Sequence, residues 1–169
     1  MTKIIILSDT HNNQSLLRNV LQRELTDCNY IFHLGDNYED LDENSDLLTT
    51  KAVVKVPGIF HPGYLSGIIP AMQAVELLSW SFLLTHNIDD IPEIRPSQNI
   101  FCYGHTHQME LRKIGSQYYL NPGHLKDEWD KDRPASYAVL SVNIDNIVVD
   151  FKDKKGTVIQ KHLINRYDL

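Results

Sequence analysis

Four short apolar runs in this chain each lead into Asp or His residues, types able to ligate metal ions, and that repetition limits the possible folds more than any other feature. Ile4-Ile5-Ile6-Leu7-Ser8 leads into Asp9-Thr10-His11, and Ile31-Phe32-His33-Leu34 into Gly35-Asp36. Phe82-Leu83-Leu84-Thr85 leads into His86, and Ile100-Phe101-Cys102-Tyr103 into Gly104-His105-Thr106-His107. Short apolar runs without alternation read as strands buried on both faces. In open α/β sheets, sites form beyond the carboxyl ends of the strands. Four such ends at one edge would gather Asp9, His11, Asp36, His86, His105 and His107 into one cleft. Each piece alone has a plainer reading. Asp-x-His and Gly-Asp are common turns, a lone His86 is a satisfied, partly buried side chain, and His105-x-His107 aligns two residues on one strand face. Their joint occurrence, in order and each directly after an apolar strand, favours a metal site.

The rest of the chain fits around these strands. Leu16, Leu17, Val20, Leu21 and Leu25 put one apolar stripe on a helix over about 13–25. The acidic stretch 41–50 predicts a short helix, and 51–56 a third strand ended by Pro57-Gly58. Residues 59–70 and 87–97 read as loops, and 74–79 and 80–85 as successive strands. Later the pattern changes to hairpins. Residues 110–114 and 117–120 flank Gly115-Ser116, and 135–142, 147–152 and 157–164 finish as antiparallel strands. An α/β fold satisfies both halves: a mixed two-sheet core with helices outside. The 169 residues are expected to form one domain over 1–169.

The donor types point to chemistry. Imidazole and carboxylate suit Mn²⁺, Fe and Zn²⁺, and no thiolate is offered that would select softer metals. Cys28 and Cys102 are the only cysteines and form no CxxC pair, so they read as buried thiols in a reducing compartment. A carboxylate such as Asp36 can bridge two cations. Two ions about 3.5–4 Å apart would activate a bridging hydroxide and neutralise phosphoryl oxygens during in-line attack. No Ser-His-Asp or Cys-His arrangement stands out. The net charge of −6 without a basic run argues against a stable nucleic-acid complex, though not against a nucleotide held at a metal. Met1 to Leu7 lacks a signal peptide's long apolar core, and no apolar stretch spans a bilayer. A cytoplasmic protein without a membrane partner is expected, its oligomeric state left open.

At these residues the chain resembles the calcineurin-like metallophosphoesterases, and most of all the small bacterial and archaeal phosphodiesterases that share a fold with a retromer scaffold subunit. The matching pieces are Ser8-Asp9-Thr10-His11 with Asn13, Leu34-Gly35-Asp36, Thr85-His86, Gly104-His105-Thr106-His107, Asn121-Pro122-Gly123 and the late stretch Pro134 to Leu140. The resemblance implies a four-layer αββα sandwich, two mixed β-sheets flanked by helices. It implies a metal-dependent phosphoesterase hydrolysing a phosphodiester, ahead of a phosphomonoester, on a small phosphorylated substrate. By resemblance, a first metal takes Asp9, His11, Asp36 and His107, and a second takes Asp36, His86 and His105, with Asp36 bridging. Mn leads the candidate ions, ahead of Fe, Zn, Ni and Mg.

The chain departs from that pattern in ways that matter. Ile59 stands where the family has an Asn ligand to the second metal, and an isoleucine cannot ligate. The catalytic His of larger members is absent in register. His61, two positions on, is open to three roles (replacement ligand, phosphate contact, general acid) beside that of a solvated loop histidine. His124 replaces a typical Ser after Asn-Pro-Gly, and Asn12 and Asn87 stand where Gly is usual. The interval from His86 to Gly104 leaves little room for a helix. A scaffold that keeps the fold without efficient chemistry is therefore the alternative. His33 is expected in the core, His162 on the surface, and Tyr30, Tyr103, Tyr119 and Tyr137 in packing roles.

Overall fold

Ile4, Ile5, Ile6 and Leu7 are all fully buried, because their strand β1 (Thr2–Leu7) has a layer on each side. Ile4 and Ile6 face one apolar cluster between two sheets, while Ile5 and Leu7 face another beneath a helix. That helix, α1 (Gln14–Glu24), starts at Asn13, whose side chain accepts from Leu16 N–H, and it buries Leu17, Val20 and Leu21 on the sheet. Each fully buried aliphatic side chain contributes roughly 1.5–3 kcal/mol, more than the helix would gain from propensity alone. The computed structural model describes residues 1–92 and 99–169. The loop expected over 87–97 thus falls in part on residues 93–98, outside the described residues.

β1 pairs in parallel with β2 (Tyr30–His33), which pairs in parallel with β3 (Ala52–Lys55). A second sheet holds β4 (Met72–Leu77), β5 (Trp80–Thr85), β6 (Ile100–Cys102), β7 (Glu110–Ile114) and β8 (Gln117–Asn121) in the order β4-β5-β6-β8-β7. Its strands β5, β6 and β8 run parallel to one another. The short strands β9 (Trp129–Asp130) and β10 (Arg133–Pro134) form a separate hairpin. The chain then returns to the first sheet as the antiparallel strands β11 (Ser136–Val142), β12 (Asn146–Asp153) and β13 (Val158–Asn165), giving the order β13-β12-β11-β1-β2-β3.

Two mixed sheets therefore face each other in an αββα-type sandwich. Between them lie Ile4, Ile6, Phe32, Trp80, Phe82, Leu84, Leu120, Leu140 and Phe151, all fully buried. α1 covers the outer face of the first sheet. Over the outer face of the second, Ile88 and Ile91 pack on Leu83, Phe101, Tyr103 and Tyr119. Among the described residues that cover is one 3₁₀ turn, Ile88–Asp90.

Three local details differ from the sequence expectation. The helix expected over 41–50 is a 3₁₀ turn, Asp42–Asn44, running into the single turn α2 (Ser45–Leu48). The 59–70 loop contains one turn, α3 (Pro62–Leu65), with Pro62 in its first turn and His61 as its cap. The hairpin Trp129–Pro134 was not expected, because two-residue strands carry no periodicity to read. Cys28 and Cys102 are free and buried. No helix is long and apolar enough to cross a membrane among the described residues.

Candidate metal centre

The parallel strands of both sheets place their carboxyl ends at one edge. Asp9 and His11 follow β1, Asp36 follows β2, His86 follows β5, and His105 and His107 follow β6. Ligand atoms of Asp9, His11, Asp36 and His107 all lie within 4.8 Å of one another. His11 Nε2 is 2.7 Å from Asp36 Oδ2, and His107 Nε2 is 3.2 Å from both Asp9 Oδ1 and His11 Nε2. His86 and His105 stand beside each other, ring centroids 5.2 Å apart, outside that four-atom group. Asp9 Oδ2 accepts from Ser8 Oγ at 2.6 Å and from the His105 backbone N–H at 2.9 Å. This turns Oδ1 toward the cluster. His86 donates its Nδ1–H to the Leu34 carbonyl at 2.7 Å, which leaves the Nε2 lone pair free.

These residues fit a cation. Asp9 is fully buried, and its Oδ1 has no hydrogen-bond partner among the described residues. A buried carboxylate oxygen left unbonded is costly, and a cation among the neighbouring donors would satisfy it. Burial pushes the Asp9 carboxyl up, but the adjacent His107 and His86 imidazoles and the Ser8 hydroxyl outweigh it and hold it below its ordinary value. Burial lowers His11, against Asp36, and so favours the neutral, ligating imidazole.

Backbone conformation singles out the same residues. Among the described non-glycine residues eleven have positive φ. Leu78, Ser79, Lys131 and Asp132 sit in two-residue hairpin turns, which require it. The other seven are Asp9, His11, Asp36, His105, His107, Asn12 and Asn37. Left-handed non-glycine residues cost of order 1–3 kcal/mol each and cluster where function holds them. Gly58 explains the close approach of the third strand's loop, since a Cβ there would lie 2.9 Å from Asp36 Cα. Asn121 donates its amide to the Gly104 carbonyl at 2.8 Å and to Thr106 Oγ1 at 3.0 Å, bracing the His105–His107 loop.

His61 uses both ring nitrogens. Nδ1 accepts from Gly63 N–H at 3.0 Å and Nε2 faces Glu39 Oε1 at 2.9 Å, with the ring 5.4 Å from that of Tyr38. His33 is fully buried, as expected, and burial lowers its pKa to about 4, so it stays neutral. Tyr103, Tyr119 and Tyr137 are buried in packing positions.

Sequence reasoning missed Asp130, whose Oδ2 accepts from His107 Nδ1–H at 2.6 Å while Lys126 Nζ contacts Oδ1 at 2.8 Å. It lies 23 residues from His107 in a polar stretch, and no local pattern marks it. Asp40 was missed as well. Buried, it accepts from the Thr10 hydroxyl between two candidate ligands and from Gln14 at 2.9 Å. Burial first, then Glu43 and other nearby carboxylates, raises its pKa to about 7. A carboxyl whose folded pKa is raised stabilises the fold fully below pH ~4 and loses that contribution as pH climbs through 7. The advantage of Asp40→Asn over the wild type should therefore grow by about 2 kcal/mol between pH 5 and 8. Urea unfolding of the metal-free protein across that range measures it; a pH-independent difference contradicts the argument.

Comparison with known proteins points the same way. The profile of the Calcineurin-like phosphoesterase superfamily domain matches residues 2–145. The Bacillus subtilis (strain 168) protein named "Probable metallophosphoesterase YsnB" is 24% identical over 176 residues, covering 98% of this chain and 99% of that protein. Among solved structures, the E. coli phosphoesterase Yfce shares the fold with a TM-score of 0.76 at 21% identity, covering 97% of this chain and 100% of that one. Vacuolar Protein Sorting 29 of Cryptosporidium parvum shares it with a TM-score of 0.73 at 19% identity, covering 98% of each.

Proposed function

The chain belongs to the calcineurin-like phosphoesterase superfamily and is on that ground a metal-dependent phosphoesterase, and we propose that it hydrolyses phosphodiesters of small molecules, nucleotides among them, as one domain over 1–169. The observation that carries this reading is the convergence of Asp9, His11, Asp36 and His107, with Asp9 Oδ1 buried and unbonded. Two divalent cations are proposed, Mn²⁺ first among them. The first is assigned to those four residues and the second to Asp36, His86 and His105. When bound, such ions supply Lewis acidity to water and to phosphoryl oxygens. The protein's own part is to hold donors in place: Ser8 and the His105 amide orient Asp9, and the Leu34 carbonyl orients His86. Asp36 is proposed to be shared between the two cations.

Ile59 brings no donor, so His61 is proposed as the nearby group that meets the substrate. Its Nε2–H is directed outward to the exposed Glu39, a partner that substrate can replace. A diester brings one negative charge to the centre and a monoester nearly two. The exposed Glu39 and the net charge of −6 favour the less charged ester.

The test is turnover of a generic aryl phosphodiester by metal-stripped protein with and without added Mn²⁺, together with metal content by mass spectrometry. Mn²⁺-stimulated turnover and about two ions per chain are expected. Folded protein that binds no metal and does not turn over the phosphodiester would favour a second reading, a scaffold. The likeness to Vacuolar Protein Sorting 29 is the observation that motivates it.

A further inference from the structure

Of the four histidines in the candidate ligand set, His107 alone among the described residues presents its outward ring nitrogen to a carboxylate. We infer that Asp130, carried on the β9–β10 hairpin and anchored by Lys126, is a positioning residue that aims His107 at the first cation and raises that cation's affinity. The inference rests on the metal-centre reading above and concerns a residue outside the ligand set itself.

Both oxygens of Asp130 are engaged, Oδ2 by His107 Nδ1 at 2.6 Å and Oδ1 by Lys126 Nζ at 2.8 Å. The carboxylate therefore cannot rotate away without giving up one partner. Since a carboxylate only accepts, Nδ1 carries a proton, and the neutral ring that a cation would bind therefore has its Nε2 lone pair toward Asp9 and His11. A carboxylate behind a ligating imidazole fixes its tautomer and orientation and strengthens it as a donor.

The segment that carries Asp130 is itself tied down at both ends. Leu125 N–H donates to the Ser8 and Asp9 carbonyls at 3.3 and 3.2 Å, and Asn13 Nδ2 donates to the Lys126 carbonyl at 2.9 Å. At the other end Arg133 donates to the Thr106 carbonyl and to Gln108 Oε1, so the hairpin grips the residues on either side of His107. His124 donates its Nε2–H to the Arg133 carbonyl at 3.0 Å and packs its ring 5.3 Å from that of His107. His107 is thus braced from behind, whereas the second site has Ile59 where a donor would stand. The consequence is an unequal pair of sites, the first tight and the second weak.

The experiment titrates metal-stripped full-length protein with Co²⁺ alone, reading visible absorption and competition with a chromophoric chelator, with far-UV circular dichroism as the check on folding. Asp130→Ala should weaken the tighter class of sites by about 10–100-fold and alter its Co²⁺ spectrum. Asp130→Asn should fall between, Asp130→Glu should restore most of the affinity, and Asp132→Asn in the same turn, which keeps a residue that tolerates positive φ, should match wild type. Wild-type affinity and spectrum in Asp130→Ala overturn the inference. Should that variant not fold, equal affinities for Asp130→Asn and Asp130→Glu overturn it instead. Wild-type protein that takes up no Co²⁺ at all refutes the metal-centre reading, an outcome distinct from unchanged uptake by the variants.

Discussion

Asp36→Asn should lose about 10³-fold in metal-stimulated phosphodiester hydrolysis while keeping its fold. Asp36 lies immediately beyond β2, at φ 68°, with Oδ2 2.7 Å from His11 Nε2. It is the residue proposed to be shared between both cations, so removing its charge weakens two sites at once. The amide keeps the shape and volume of the side chain and leaves intact the close backbone contact with Gly58. Stability should change little, because the left-handed backbone that Asp36 adopts is one that Asn tolerates well. Steady-state rates with saturating Mn²⁺ and metal content measured on the same preparation provide the check. A folded variant with wild-type turnover would contradict the assignment of Asp36.

Trp80→Ala should be the converse, a large loss of stability with the site spared. Trp80 is fully buried between the sheets and donates its indole N–H to the Asn143 carbonyl at 2.7 Å. The Arg166 guanidinium lies 4.4 Å from its ring centre. Truncation deletes the largest side chain of the inter-sheet core and leaves the Asn143 carbonyl without that donor, for a cost of about 4 kcal/mol. Trp80 begins β5, whereas His86 follows the other end of that strand. Molecules that remain folded should therefore bind Co²⁺ as wild type does. The urea midpoint by circular dichroism and the Co²⁺ titration, run on one preparation, separate the two effects. A midpoint within experimental error of wild type would show that the core does not depend on this ring.

Much of this architecture is legible in the residues. Ile4 to Leu7 had to be buried on both faces because the run has no alternation, and α1 was readable from the spacing of Leu17, Val20 and Leu21. The ligand candidates stood out because each follows such a strand. Ile88–Asp90 and α2 were harder, since one-turn elements have too few residues for a period to show. The β9–β10 hairpin was silent for the same reason.

The sequence by itself determined the strand set apart from the β9–β10 hairpin, the direction in which β1, β2, β5 and β6 deliver their Asp and His residues, and the chemical class of donor. Those properties depend on local periodicity and side-chain type, which are written in neighbouring residues. Only the tertiary structure decided that Asp9 Oδ1 is buried without a partner, that both nitrogens of His61 are engaged, and that Asp130 stands behind His107. Apart from the local His61–Gly63 bond, each reflects segments far apart in the chain. Its existence depends on how two sheets and a hairpin pack against each other, and no short window of sequence records it.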